Sequence, residues 1–228
     1  MIALRSLSKS YAVNAGRKTV CRDISLTFPG KTSVGLLGRN GAGKSTLLRM
    51  LAGVEDADSG EILSDGTISW PVGFAGSFHP ELTGAQNIRF IGRLYGVDTD
   101  DLMRFVEDFA ELGLHFHAPF RTYSAGMRAR LAFGLSMGIE FDTYLIDEVT
   151  SVGDAAFRDR STEMLNLRLA RSAAIVVTHS MPLMRQLCTC GVVMVNGSAR
   201  MYDTIDEAIA VHERAMRGDL PDWAGADG

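Results

Sequence analysis

Long apolar runs are missing from this 228-residue sequence, and no stretch approaches the ~20 consecutive apolar residues that span a bilayer. No signal-peptide pattern opens it, since Met1-Ile2-Ala3-Leu4-Arg5 turns polar at once. A role at a membrane would therefore need a partner. Cysteine is sparse. Cys21, Cys188 and Cys190 are an odd set, and Cys188-Thr189-Cys190 lacks the second pair that a structural zinc site needs, so free thiols of a cytosolic protein are expected. An excess of positive charge is also lacking: the net charge of −4 excludes a global attraction for nucleic acid or anionic lipid, although 19 of the 23 basic residues are Arg. There is no tandem repeat, low-complexity block or long linker. What remains is 46% hydrophobic and 22% charged, an ordinary globular composition in a chain long enough to bury a substantial core.

The N-terminal part reads as short strands. Ile24 to Phe28 alternates apolar and polar before a Pro29-Gly30 turn, and Thr32 to Leu37 is an apolar run suited to a buried strand. A helix is expected over Lys44 to Ala52 and a strand at Ile68-Ser69-Trp70, closed by Pro71. The middle turns helical: Thr83 or Gly84 to Tyr95, then a helix capped by Asp98 to Asp101 with Leu102, Phe105, Val106, Phe109 and Leu112 on one face, then Ser124 to about Met137. That apolar face reads as core packing. The last third alternates: strand 143–146, helix 155–169, strand 173–177, helix 183–187, strand 192–195, a turn at Asn196-Gly197 and a helix 203–216, with a frayed tail over 218–228. Strands, a helical insertion and strands again predict one α/β domain over 1–217 with a helical subdomain at about 80–138.

Gly38-Arg39-Asn40-Gly41-Ala42-Gly43-Lys44-Ser45 fits the phosphate-loop pattern G-x-x-x-x-G-K-[ST] at every fixed position, with Thr46 following. Glycines let backbone N–H groups turn inward around an anion, and the following helix aims its N-terminus at the same point. Lys44 adds a fixed positive charge for the β- and γ-phosphates, and the Ser45 hydroxyl can ligate Mg²⁺. A glycine-rich turn matching by accident is the alternative; its placement between a buried strand and a helix argues against it.

Tyr144-Leu145-Ile146-Asp147-Glu148 is a buried strand ending in two acids. Such strand ends lie beside the phosphate loop in P-loop folds, which assigns Asp147 to Mg²⁺ and Glu148 to the attacking water. Val177-Thr178-His179-Ser180 places His179 after another buried strand, within reach of a γ-phosphate. Taken singly, the acid pair also fits a surface turn and His179 a structural histidine. Following a full phosphate loop in order, they support one another.

Tyr123-Ser124-Ala125-Gly126-Met127, about twenty residues before Asp147, resembles a variant of the Leu-Ser-Gly-Gly-Gln signature of ABC ATPases. Phosphate loop, signature, Asp147-Glu148, a Ser151-Val152-Gly153-Asp154 D-loop and His179 stand in that family's order and spacing over residues 1 to 215. The resemblance implies a P-loop NTPase fold with a RecA-like core, an antiparallel β subdomain and an inserted helical subdomain. It implies ATP and Mg²⁺ as cofactors, Tyr11 as the aromatic that stacks on adenine, and Ser124 and Gly126 as contacts to the ATP held by a second copy. The serine equally caps its own helix. Ile68-Ser69-Trp70-Pro71, Leu82-Thr83-Gly84 with Asn87, Arg89-Phe90-Ile91, and Arg130-Leu131-Ala132-Phe133 are similar to the capsular-polysaccharide exporter branch. For that branch a homodimer, separate transmembrane permease subunits, periplasmic and outer-membrane export components, a place on the cytoplasmic face of the bacterial inner membrane and a lipid-linked, usually acidic cargo are implied. Ala125 and Met127 depart from the signature. The usual Q-loop glutamine is missing, Gln86 lying too far into its helix; His79 is its stand-in or an exposed loop residue.

Two neighbouring classes stay in view. O-antigen and teichoic-acid exporters share the motifs, though some carry a C-terminal sugar-binding domain for which residues after His212-Glu213-Arg214 leave little room. Soluble ABC ATPases acting on nucleic acid or ribosomes usually carry a coiled-coil insertion or two fused ATPase halves, and neither is present. A degenerate nucleotide sensor conflicts with intact Lys44, Asp147, Glu148 and His179, and a GTPase with the lack of Asn-Lys-x-Asp.

Overall fold

The computed structural model describes residues 1–13, 16–76, 78–147 and 154–224. Along the chain run β1 (Ile2–Val13), β2 (Gly16–Phe28), β3 (Ser33–Gly38), α1 (Lys44–Leu51), β4 (Ser59–Ser64), β5 (Ile68–Pro71), α2 (Gly84–Leu94), α3 (Thr99–Ala110), α4 (Ala125–Gly138), β6 (Thr143–Asp147), α5 (Ala155–Leu169), β7 (Ala173–Val177), α6 (Met181–Leu187), β8 (Cys190–Val195), β9 (Ser198–Tyr202) and α7 (Ile205–Met216). Contacts divide the described chain into two units, one of residues 1–71, 141–147 and 171–224 and one of residues 72–140 and 154–170.

The first unit holds two sheets. One is antiparallel, in the order β2-β1-β4, and the other runs β5-β6-β7-β3-β8-β9. In the second, β5, β6, β7, β3 and β8 are parallel and only β9 is antiparallel, joined to β8 through the Asn196-Gly197 turn. Strands inside a parallel sheet are covered on both faces and read as unbroken apolar runs rather than alternations. Ala-Ala-Ile-Val-Val of β7 and Cys-Gly-Val-Val-Met-Val of β8 are of this kind, and every residue in both is buried. Leu36, Leu47, Leu48, Leu145, Ile175 and Val192 form the centre of this core, with Leu4, Leu7 and Ile24 of the antiparallel sheet continuing it.

The second unit is helical, and among the described residues each of its four α-helices carries an N-terminal side-chain cap. Thr83 and Gln86 form a reciprocal capping box on α2; Asp98, Ser124 and Asp154 cap α3, α4 and α5. The apolar face expected on α3 packs inward, with Leu102, Val106 and Phe109 buried. Phe109 stacks on Phe133 of α4 at 5.8 Å and meets Phe157 of α5 edge-on at 5.4 Å. Among the described residues no helix is long and apolar enough to cross a membrane.

The tail expected from Gly218 onward is described as far as Ala224. Its chain turns back beside β9, where the Trp223 indole N–H donates to the Tyr202 hydroxyl at 2.9 Å.

Candidate functional site

Register in the parallel sheet gathers the predicted chemistry at one edge. Asp147 at the end of β6 pairs with Val177 at the end of β7, and Gly35 of β3 pairs with Val176, so the loops after β3, β6 and β7 leave the sheet together. Ligands of open α/β sheets bind outside the carboxyl ends of the strands. The loop 38–45 follows β3, Asp147 ends β6, and His179 lies two residues beyond β7, the strand between the other two.

The loop has the backbone that its glycines predict. Gly41 and Gly43 take φ of 79° and 104°. At Gly43 a Cβ would fall 2.6 Å from the Val20 carbonyl oxygen, so no larger residue fits. Gly43 is also the N-cap of α1 and has no side chain to accept from the first-turn amides. The helix therefore presents uncapped N–H groups and its positive dipole end to whatever enters the loop. The Lys44 ammonium crosses the loop and donates to the carbonyls of Gly38 at 2.7 Å and Arg39 at 3.0 Å. Burial lowers its pKa, and Asp147 opposes that shift, which places the lysine and the aspartate in each other's field. Ser45 is exposed on the same turn and Asp147 is half-buried. Uncapped amides, one ammonium, a hydroxyl and a carboxylate fit a phosphate chain with its divalent cation.

Tyr11, half-buried on β1, is tied to the same helix. Its hydroxyl donates to the Glu55 carboxylate at 2.5 Å and lies 3.2 Å from the Thr46 hydroxyl, while the Lys9 ammonium stands 5.6 Å from its ring. Hydrogen bonding from Tyr11, with Arg49 and Lys9 beside it, holds the Glu55 carboxyl below its ordinary value. Glu55 has no motif around it, and only the fold shows that it fixes Tyr11. Lys18 escaped the sequence as well: it pairs with Tyr11 across the β1–β2 ladder, and its ammonium comes within 3.5 Å of a Cβ placed on Gly41. A cavity of about 480 Å³ lies beside the loop, lined by Lys18, Arg22, Arg39, Asn40 and His212 among others. Burial, then the nearby charge of Lys44, pushes the His212 pKa down, so this imidazole is held neutral.

Ser124 and Gly126 belong to the helical unit. The Ser124 hydroxyl accepts from the Met127 amide at 3.2 Å, and Ser124, Ala125 and Gly126 are all exposed. Arg130, one turn further along α4, donates to the Asp154 carboxylate at 2.8 Å and stacks over Phe157 at 4.5 Å. The signature helix is thereby fastened to the first described residue after Asp147. Glu148 and residues 151–153 of the expected D-loop lie outside the described residues.

His79 is exposed; its backbone is pinned by Asn87, whose side chain accepts from the His79 amide at 2.8 Å and donates to the His79 carbonyl at 3.1 Å.

A family model described as ABC transporter matches residues 21–151. The chain is 46% identical over 198 residues to the polysialic acid transport ATP-binding protein KpsT of Escherichia coli, covering 86% of this chain and 88% of that one. It is 46% identical over 209 residues to the capsule polysaccharide export ATP-binding protein CtrD of Neisseria meningitidis, covering 91% and 96%. Identity falls to 33% with the O-antigen export system ATP-binding protein RfbB of Klebsiella pneumoniae, over 91% of this chain and 87% of that one. Among solved structures, the dimeric post-hydrolysis state of the ATP-binding cassette MJ0796 bound to ADP and Pi superposes with a TM-score of 0.71 at 19% identity, covering 89% and 98%. The fold is that of an ABC ATPase cassette.

Proposed function

Because this chain belongs to the ABC transporter ATP-binding family, we propose that it is the ATP-hydrolysing subunit of an exporter of capsular polysaccharide. The observation that carries the reading is the joint one of a complete phosphate loop, uncapped at the head of α1, in a chain 46% identical to capsule-export ATPases and 33% identical to an O-antigen one.

The loop amides of residues 41–46, with the Lys44 ammonium released from its two carbonyl contacts, hold the phosphates of ATP. The Tyr11 ring, kept in place by Glu55, stacks on adenine. Ser45 and Asp147 hold Mg²⁺, which when bound neutralises charge on the β- and γ-phosphates. Glu148 takes the proton of the attacking water, and His179 donates to the γ-phosphate. Ser124 and Gly126 bring the N-terminus of α4 to the γ-phosphate held by a second copy, so the composite site is complete only when two copies close on ATP. The dimer works beneath separate permease subunits on the cytoplasmic face of the inner membrane, with periplasmic and outer-membrane components beyond, and drives an acidic, lipid-linked polymer outward.

In a strain lacking this gene, polymer should accumulate inside the cell. The wild-type gene should restore surface polymer, and a Lys44→Ala copy, which cannot bind ATP, should not. Normal surface polymer in the deletion strain would refute the export reading, and tight ATP binding by Lys44→Ala would refute the assignment of the loop.

A further inference from the structure

Helix α7 ends in a turn that folds the chain back over the edge of the sheet. Gly218 takes a φ of 92°, its amide bonds the Ala215 carbonyl at 3.1 Å, and the Asp219 amide reaches the Arg214 carbonyl at 3.1 Å. These are the paired 5→2 and 6→1 bonds of a Schellman turn, for which glycine supplies the left-handed residue. Pro221 restrains the next step, and the Ala224 amide closes a second turn on the Pro221 carbonyl at 2.8 Å. Trp223 is carried to β9, where its N–H meets the Tyr202 hydroxyl.

The fold-back leaves a cavity of about 360 Å³ walled by Arg200 and Tyr202 from β9, Arg214 from α7, and Asp219, Asp222 and Trp223 from the turn. Its chemistry is distinctive. Trp223 and Tyr202 are half-buried, and the Trp223 N–H and Tyr202 hydroxyl are already bonded to each other. Arg200, Arg214, Asp219 and Asp222 are exposed, and among the described residues none of the four enters an ion pair. The Arg200 guanidinium stands 5.9 Å from the centre of the Tyr202 ring, and among the described residues its N–H groups make no hydrogen bond.

We propose that this cavity binds a sugar residue bearing a carboxylate, one unit of an acidic polysaccharide. The proposal rests on the export reading. A flat aromatic face accepts the C–H face of a sugar ring with little ordering cost, because an indole has only two rotatable bonds. Arg200 and Arg214 offer the forked donors that recognise a carboxylate, which a neutral sugar lacks. Asp219 and Asp222 accept from ring hydroxyls. A polyphosphate suits the site poorly, since it has no C–H face for the indole and its several charges exceed what two arginines can offset against two carboxylates. The cavity lies on β9 and α7, outside the phosphate loop, so its ligand would report the presence of polymer without competing with nucleotide.

The test uses the purified full chain. Of its two tryptophans, Trp70 is replaced by Phe, leaving Trp223 as the fluorescent reporter. The probes are an α2,8-linked sialic acid oligomer, a glucuronate-containing hyaluronan oligomer and, as neutral control, maltotetraose. At least one acidic oligomer should give a saturable change in Trp223 fluorescence and a matching calorimetric isotherm, with maltotetraose at least about tenfold weaker. Arg214→Gln should weaken the acidic oligomer by about tenfold or more in both measurements, and Trp223→Ala should do so by calorimetry. Basal ATP hydrolysis should stay at the wild-type rate in both variants. The site is refuted if neither acidic oligomer saturates by ~10 mM, if maltotetraose binds equally well, or if both variants bind as the parent does. Any of these results in a chain whose Lys44→Ala copy still fails to restore surface polymer removes the sugar site and leaves the export reading standing.

Discussion

Cys21, Cys188 and Cys190 are all buried and unpaired, and among the described residues no cluster of His, Cys, Asp and Glu could hold a metal. Burial pushes the thiols of Cys21 and Cys188 up to about 12 and raises that of Cys190. A thiolate is the reactive form, so at pH 8 the first two are almost wholly protonated as well as screened from solvent. Iodoacetamide at pH 8 should therefore leave Cys21 and Cys188 unmodified in the native protein, whereas all three cysteines should be alkylated in denaturant, as read by mass spectrometry. Rapid native labelling at Cys188 would mean that the start of β8 opens. The free thiols were legible from the odd count and the missing partner pair. Lys18 was not: it reaches Gly41 only through the pairing of β1 with β2, and register shifts after Leu4, Leu7 and Lys9 break the alternation that would have fixed that pairing in advance.

At the scale of elements, the segment before α2 depends on one amide. Asn87 is 1% exposed and bonds the His79 amide and the carbonyls of His79, Leu82 and Thr83. The three carbonyls also accept from the backbone amides of Leu82, Phe120 and residue 87, so Asn87→Ala would leave the His79 amide as the group without a partner, at a cost of about 1–3 kcal/mol. A drop in the denaturation midpoint of corresponding size should be seen by circular dichroism. The exposed His79 side chain adds a single contact, its Nδ1 accepting from the Glu81 amide at 3.3 Å, so His79→Ala should lower that midpoint by less than Asn87→Ala does. Elements with strong local signals were visible in the sequence: α5 and β7 lie where expected, and Asp98 and Ser124 cap their helices as their residue types suggested. Strand β4 was not visible, because almost every residue in Ser59–Ser64 is exposed and it carries no apolar alternation, whereas β9 follows the hairpin turn that Asn196-Gly197 announced. The turn that carries Trp223 back to Tyr202 depends on bonds made after α7 ends, and no periodicity announces it.

For the whole molecule, charge sets both stability and assembly. Glu55, Asp58, Asp98, Asp142 and Asp154 are all held below their ordinary values, chiefly by hydrogen bonds from Tyr11, Ser10, Asp101, Thr67 and Phe157 respectively. A carboxyl whose folded pKa is depressed takes up its proton first in the unfolded chain. Its contribution is therefore complete above the ordinary values of 3.8 for Asp and 4.5 for Glu, and is lost as pH falls through the depressed ones. His212, whose folded pKa is also pushed down, is protonated first in the unfolded chain, so the melting temperature should decline slightly as pH falls through about 6.5 and more steeply below about pH 4, where the carboxyl contributions are lost. Assembly depends on charge in another way. Two copies with a net charge of −4 each repel at long range, and ATP adds more negative charge to each. On the proposed reading, closure draws on short-range contacts that exist only with nucleotide bound, which we assign to exposed Ser124 and the amides at the head of α4 meeting a γ-phosphate of the second copy. Hydrolysis removes that phosphate, so the closed form is transient in the wild type. Glu148→Gln should bind ATP and remain closed, running in light scattering as twice the 24.7 kDa chain with ATP and as a single chain with ADP. Adding Ser124→Arg, which puts bulk and a side chain where the capped helix end must meet the phosphate, should return the ATP-loaded protein to a single chain. If Glu148→Gln with ATP stays monomeric both alone and beside its permease, the nucleotide site stands, but the coupling of hydrolysis to closure of two copies does not.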